Sequence, residues 1–282
     1  MGIDVHVLNF LLYCRKKQPY GKMVTVGRQA MAIEDWSNAC IPADWERPRY
    51  GAFWEEFART RLGAEAVESY DYSDFEHATH LADFNLPLGA HATYDTVLEG
   101  GTIEHIYNAP QALQNMAELC RVGGQVIHAT PTNNFCGHGF WQFSPELFFS
   151  LYSEQNGFTQ TEVFVADLAN EREWFEVKRP TRSERAEIVS STQLYAMCRT
   201  VLTERRAVRV QQSDYVHIWA RHEPQQAPEP GLAAKVKSAI KRSPLRGLAM
   251  ATLHVFRSRK PTSLSALNPH LTRRPVAELL RE

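Results

Sequence analysis

The chain has little cysteine. Five residues, Cys14, Cys40, Cys120, Cys136 and Cys198, are spread over 282 positions, an odd number at wide spacing. No Cys-x-x-Cys pair or His/Cys metal spacing occurs, so reduced, mostly buried thiols in a cytoplasmic protein are expected, and no metal. No apolar run approaches the roughly 20 residues of a bilayer span. Met1–Tyr13 lacks a basic start and a small-residue cleavage site, so no signal peptide is expected. No repeat or low-complexity tract is present. No Gly-x-Gly-x-x-Gly follows a strand, which sets aside a nicotinamide oxidoreductase.

Acidic residues are scarce at the end of the chain. From Gly231 onward eleven basic residues face only Glu278 and Glu282, so this stretch carries +9 and the rest −10, within a net −1. The basic end and the acidic body read as different pieces. No aromatic stripe accompanies the basic charge, so nucleic acid is not an expected partner.

An apolar content of 44% suffices for a substantial core in one large or two small domains. The most informative stretch is Tyr94–Thr130. An apolar run, Thr96–Leu98, meets Gly100 and Gly101. Ala112, Leu113, Met116, Ala117 and Leu119 then recur at roughly helical spacing, with Pro110 in the first turn. Gly123 and Gly124 are expected to stop that helix before the β-prone Gln125–Thr130. This is one βαβ unit and implies a parallel sheet. Ligands sit at the carboxyl ends of such strands, which directs attention to Glu99–Thr102 and Pro131–Asn134.

The same residues carry a family resemblance. Tyr94-Asp95-Thr96-Val97, Gly101, Ile103-Glu104-His105, Arg121-Val122-Gly123-Gly124 and Thr130-Pro131-Thr132-Asn133 follow in the order and spacing of the second half of a class I S-adenosylmethionine-dependent methyltransferase. The segment resembles that family over about forty residues. The resemblance implies an α/β, Rossmann-like fold: a seven-stranded, mostly parallel sheet with flanking helices, here with a C-terminal helical appendage. It implies S-adenosylmethionine as cofactor, and Tyr94–Leu98 and Gln125–Ala129 as fourth and fifth strands.

Upstream, Val5–Arg15 reads as a helix on the sheet edge and Lys22–Gly27 as the first strand. The family follows that strand with a glycine-rich turn. Here the turn is Gly27-Arg28-Gln29-Ala30-Met31, with one glycine. Gly27 and Arg28 are either cofactor contacts or part of a filled, non-binding turn. Ile33–Ala39 and Phe53–Leu62 look helical, within an insertion that is either a lid or a surface elaboration. Ala66–Tyr72 is the second strand and His80–Phe84 the third. The resemblance places Asp71 at the ribose hydroxyls, which a carboxylate can accept from in pairs, with Glu68 as the alternative. It places Asp83 at the adenine amino group, beside Phe84. Glu99 and Gly100 complete the expected cofactor contacts.

Beyond Thr130, Ser144 is a plausible N-cap ahead of Pro145, with Leu147, Phe148 and Leu151 on the buried face and Gly157 as the stop. The loop Asn133–Gln142 supplies expected substrate contacts in Asn133, Asn134 and Trp141. His138 in that loop and His105 after the fourth strand are candidate general bases for a hydroxyl acceptor; as alternatives, His138 is a solvated loop residue and His105 a helix-end hydrogen bonder. Gln160–Ala166 is the sixth strand. Glu171–Arg209 reads as a loosely helical insertion, and the alternating Asp214–Arg221 as the antiparallel seventh strand.

The methyltransferase-like domain is thus expected over 1–222, a proline-rich linker over 223–230 and a basic appendage over 231–282. The appendage either docks on the acidic body or touches an anionic membrane surface peripherally. The expected function is methyl transfer from S-adenosylmethionine to a small-molecule or glycan-like acceptor. The alternative is a catalytically inactive binding or scaffold module of the same fold, favoured by the single glycine of the Gly27–Met31 turn.

Overall fold

The computed structural model describes residues 2–89, 93–180, 185–220 and 262–281. The proline-rich linker and the amphipathic part of the appendage, 221–261, lie outside these residues. Helix α1, Val5–Lys17, starts where the Asp4 side chain accepts from Val7 N at 2.8 Å and ends in Arg15, Lys16 and Lys17, whose charges suit the carbonyl end of a helix. Strand β1 is Lys22–Val26. Helix α2 is Glu55–Thr60. Strands β2, Ala66–Asp71, β3, His80–Leu81, and β4, Tyr94–Glu99, follow. Ile33–Ala39, expected to be helical, is irregular.

Helix α3, Ala109–Leu119, carries Pro110 in its first turn, where a missing N–H costs nothing. It runs straight into β5, Cys120–Asn133. Gly123 and Gly124 therefore do not stop the helix. Tyr94 pairs with Cys120 and Thr96 with Gln125, so the intervening residues bulge from the strand. Helix α4, Pro145–Leu151, is capped by Ser144 as expected. Then come β6, Phe158–Asp167, β7, Glu173–Val177, β8, Leu194–Leu202, helix α5, Ser213–Ala220, β9, Leu271–Pro275, and the short helix α6, Val276–Leu279.

The nine strands form one sheet in the order β3-β2-β1-β4-β5-β8-β6-β7-β9. The pairs among β3, β2, β1, β4 and β5 are parallel; β8 is antiparallel to both β5 and β6. This is a Rossmann-like sheet, extended by β7 and β9. One core lies between the sheet and α3 and α4; a second lies under α1, α2 and α6.

Two strand assignments change. Of the expected antiparallel strand Asp214–Arg221, the described residues are not a strand: Ser213–Ala220 is helical, with Tyr215 and Trp219 stacked one turn apart. The antiparallel strand is Leu194–Leu202, inside the stretch expected to be loosely helical. All nine of its residues are buried. A strand covered on both faces shows no alternation, and a continuous apolar run does not distinguish strand from helix. The terminus also returns to the body. Leu271–Pro275 pairs with β7, and Val276 and Leu279 enter the second core, so part of the stretch read as an appendage is the outermost strand of the sheet.

Candidate functional site

Val26, Tyr70 and Glu99 stand at one level, since Val26 pairs with Tyr70 on one side and with Glu99 on the other. Above them opens a cleft of about 450 Å³, at the carboxyl ends of the parallel strands. Its walls include Gly27, Asp71, Asp83, Phe84, Thr102 and His105. Asp71 follows from the end of β2 and accepts at Oδ1 from Tyr72 N at 2.7 Å. Asp83 accepts at Oδ1 from the backbone and side-chain nitrogens of Asn85, at 2.9 and 2.7 Å. Each carboxylate thus spends one oxygen on its own turn. Phe84 is buried edge-on against Tyr70, which supplies an apolar wall.

The turn after β1 is filled. Gly27 has φ +73°, and a Cβ there would lie 2.3 Å from Thr102 Oγ1, so only glycine fits. Thr102 Oγ1 donates to Val26 O at 2.9 Å. The buried Gln29 side chain donates from Nε2 to Val26 O and Gly27 O, each at 3.2 Å, and its Oε1 would lie 2.9 Å from a Cβ on Gly100. The space between the ends of β1 and β4 therefore holds Gln29. Arg28 turns outward, pairing with Glu55 at 2.6 Å, donating to Glu76 O and lying over the Phe53 ring at 3.7 Å. Arg28 and Gly100 are not walls of the cleft.

Glu99 points inward rather than into the cleft. Its Oε1 accepts from Gly101 N, Thr102 N and Ile103 N at 2.6, 2.5 and 3.3 Å, tying the turn after β4 to the strand. Its Oε2 lies 3.5 Å from His128 Nδ1, and His128 Nε2 is 2.5 Å from Tyr152 OH. All three side chains are buried.

Beside this row the chain gathers Glu104, His105 and His138. Glu104 is fully buried, and neither carboxylate oxygen has a hydrogen-bond partner among the described residues. Its Oε1 is 3.7 Å from His105 Nε2 and 3.5 Å from His138 Nε2. Burial, then the neighbouring Glu99 carboxylate, push Glu104 up to about 8. Burial, then His138, hold His105 below its ordinary value, so it is neutral near pH 7. The loop bearing His138 is clamped down. Phe140 N and Trp141 N donate to Glu104 O at 2.8 and 3.3 Å, and Trp141 Nε1 donates to Ile106 O at 3.0 Å.

The expected site residues thus divide. Gly27, Asp71, Asp83, Phe84 and His105 share the cleft, and His138 meets His105 beside it. Asn134 turns away to donate to Ser190 O and Thr192 O at 3.2 and 2.6 Å. Asn133 lines a separate small cavity with Thr132 and Leu194, and Trp141 lines an apolar one with Leu113 and Leu147. Glu104 had no expected role although it stands in the Ile103-Glu104-His105 motif; a sequence does not reveal that a carboxylate is buried. Gln29 was legible as bulk in a filled turn, and Glu99 was expected as a cofactor contact; its partners His128 and Tyr152 were missed, because that signal lies in contacts between distant segments.

No protein-family model matches the chain, and no curated protein matches it. Solved structures do. One is the N-methyltransferase NodS from Bradyrhizobium japonicum WM9, 12% identical over 71% of this chain and 94% of that one, at a TM-score of 0.41. Another is TehB from Haemophilus influenzae, 12% identical over 68% and 61%, at 0.41. A third is phosphoethanolamine N-methyltransferase 2 from Haemonchus contortus with phosphomonomethylethanolamine and S-adenosylhomocysteine, 13% identical over 70% and 52%, at 0.44.

Proposed function

We propose that the chain is a class I S-adenosylmethionine-dependent methyltransferase acting on a small-molecule or sugar-like acceptor. The observation that carries this reading is the meeting of Asp71, Asp83 and Phe84 around one cleft at the carboxyl ends of β1, β2 and β4. These residues fit the nucleoside end of the cofactor: the second oxygen of Asp71 makes no hydrogen bond to a described residue and suits the ribose hydroxyls, Asp83 suits the adenine amino group, and Phe84 and Tyr70 offer apolar walls. When bound, the cofactor supplies an electrophilic methyl group on a sulfonium. The chain's own part is then alignment of the acceptor, worth several kcal/mol as effective concentration, about 7–11 in favourable cases. His105, a wall of the cleft, and His138 beside it are the candidate bases for a hydroxyl acceptor.

The filled turn favours a second reading, an inactive binding module of the same fold. Gln29 and Thr102 occupy the place where a glycine-rich turn would let the methionine part approach. Calorimetry of the full chain with S-adenosylmethionine and S-adenosylhomocysteine separates the two. Binding of one equivalent, weakened in Asp71→Asn, supports the enzyme; absence of binding to either compound favours the module.

A further inference from the structure

We propose that Glu104, His105 and His138 form a binding site for one divalent transition-metal ion. The proposal does not rest on the methyl-transfer reading. One carboxylate oxygen and two imidazole nitrogens lie within 4.8 Å of one another. Ligands about 2.0–2.2 Å from a common ion stand roughly 3.0–3.5 Å apart. The Glu104–His138 separation of 3.5 Å already satisfies this, and the Glu104–His105 separation of 3.7 Å needs only a small ring rotation.

The independent observation is Glu104 itself. A carboxylate wholly removed from water normally accepts several hydrogen bonds or pairs with a cation, because an isolated buried charge is strongly unfavourable. Among the described residues Glu104 does neither, and its carbonyl oxygen is held by Phe140 N and Trp141 N. No lysine or arginine among the described residues forms an ion pair with it or with neighbouring Glu99, whose Oε2 is also without a hydrogen bond. A cation held by the three donors would supply the partner that both carboxylate oxygens of Glu104 lack among the described residues.

The donor set selects the ion. Imidazole and carboxylate together suit zinc, manganese, iron or cobalt, whereas magnesium takes oxygen ligands. The site is open on one side: the His105 and His138 side chains are 45% and 35% exposed, Glu104 not at all. His105 is also part of the cleft wall, so the three donors adjoin the cleft.

The test uses the full chain, dialysed against chelator and titrated with ZnCl2 and with MnCl2 in a calorimeter, metal content being measured after gel filtration. The expected result is one tight equivalent of at least one ion and a raised Tm. His138→Ala, on a surface loop, and the isosteric Glu104→Gln should each weaken binding by at least about 100-fold. Cys136→Ser should leave it unchanged, Cys136 being an exposed thiol two residues from His138. Retained affinity in His138→Ala, loss of binding in Cys136→Ser, or no uptake of either ion by the wild-type chain overturns the proposal. Binding of S-adenosylhomocysteine is read separately, so failure of this site and failure of the methyltransferase reading are distinguishable.

Discussion

Gly139 rests directly on Glu104: a Cβ at Gly139 would stand 2.8 Å from the Glu104 carbonyl oxygen and 3.0 Å from its Cγ. The contact brings the loop after β5 onto the turn after β4, and with it His138 onto the Glu104 carboxylate. Gly139→Ala must therefore lift the loop and lengthen the Phe140 N–Glu104 O bond. The expected cost is about 1–3 kcal/mol of unfolding free energy, as for other overpacked sites, together with weaker metal uptake. Denaturant unfolding and calorimetry measure the two effects; an alanine variant matching wild type in both removes the clamp from the account.

For the cleft, Asp71→Asn and Asp83→Asn should raise the Kd for S-adenosylhomocysteine. A hydrogen bond to a charged group contributes about 1.5–3 kcal/mol, equivalent to roughly 10- to 150-fold. The Tm of the free chain should move little, since both carboxylates are partly exposed. Glu68→Gln tests the alternative ribose partner and should not change this affinity, because Glu68 is engaged with Lys22, His80 and Tyr94 at 3.1, 2.7 and 2.6 Å.

Glu68 also sets an acid-sensitive part of the stability. Burial pushes its carboxyl up, but the hydrogen bonds from His80, Tyr94 and Lys22 outweigh this and hold it down at about 2, below the ordinary 4.5. A depressed acid stabilises the fold fully above its unfolded value and loses that contribution as pH falls through its folded value. The wild type should therefore exceed Glu68→Gln in stability at neutral pH, and the gap should narrow between pH 4.5 and 2. Equilibrium unfolding of both chains across that window shows it; a constant gap contradicts it.

Arg199 is buried in β8 and donates to Gln125 Oε1 at 2.8 Å, with Glu162 at 3.7 Å. Arg199→Ala leaves a cavity, strips Gln125 Oε1 of its donor and removes the ion-pair partner of Glu162, so a loss of roughly 2–4 kcal/mol is expected in denaturant unfolding. A loss below 1 kcal/mol would show that the guanidinium only just offsets its own desolvation.

Removing residues after Pro230 tests where the folded body ends. The deletion takes away β9 and the buried Val276 and Leu279, and exposes the edge of β7. Two such side chains are worth about 3–6 kcal/mol. A truncated chain as stable as the full one would show that the terminus does not contribute to the sheet.

The sequence by itself determined the parallel half of the sheet. Lys22–Val26, Ala66–Asp71 and Tyr94–Glu99 are short runs bounded by glycine or polar turns, and the helix between β4 and β5 announces itself by its apolar spacing. These signals are local, so they survive in one dimension. They also placed Asp71, Asp83 and His105, because strand ends in a parallel sheet all open on one side. In the antiparallel half Gln160–Ala166 was legible as a strand, but the strand between it and β5 was decided by tertiary structure. Leu194–Leu202 is a strand because β5 and β6 flank it and both faces are covered, while Ser213–Ala220 carries the alternation of a strand but finds no neighbour to pair with and forms a helix instead. The same holds at the site. His105 and His138 are legible as candidates, but the unpaired, wholly buried state of Glu104 between them exists only once two distant loops have closed over it.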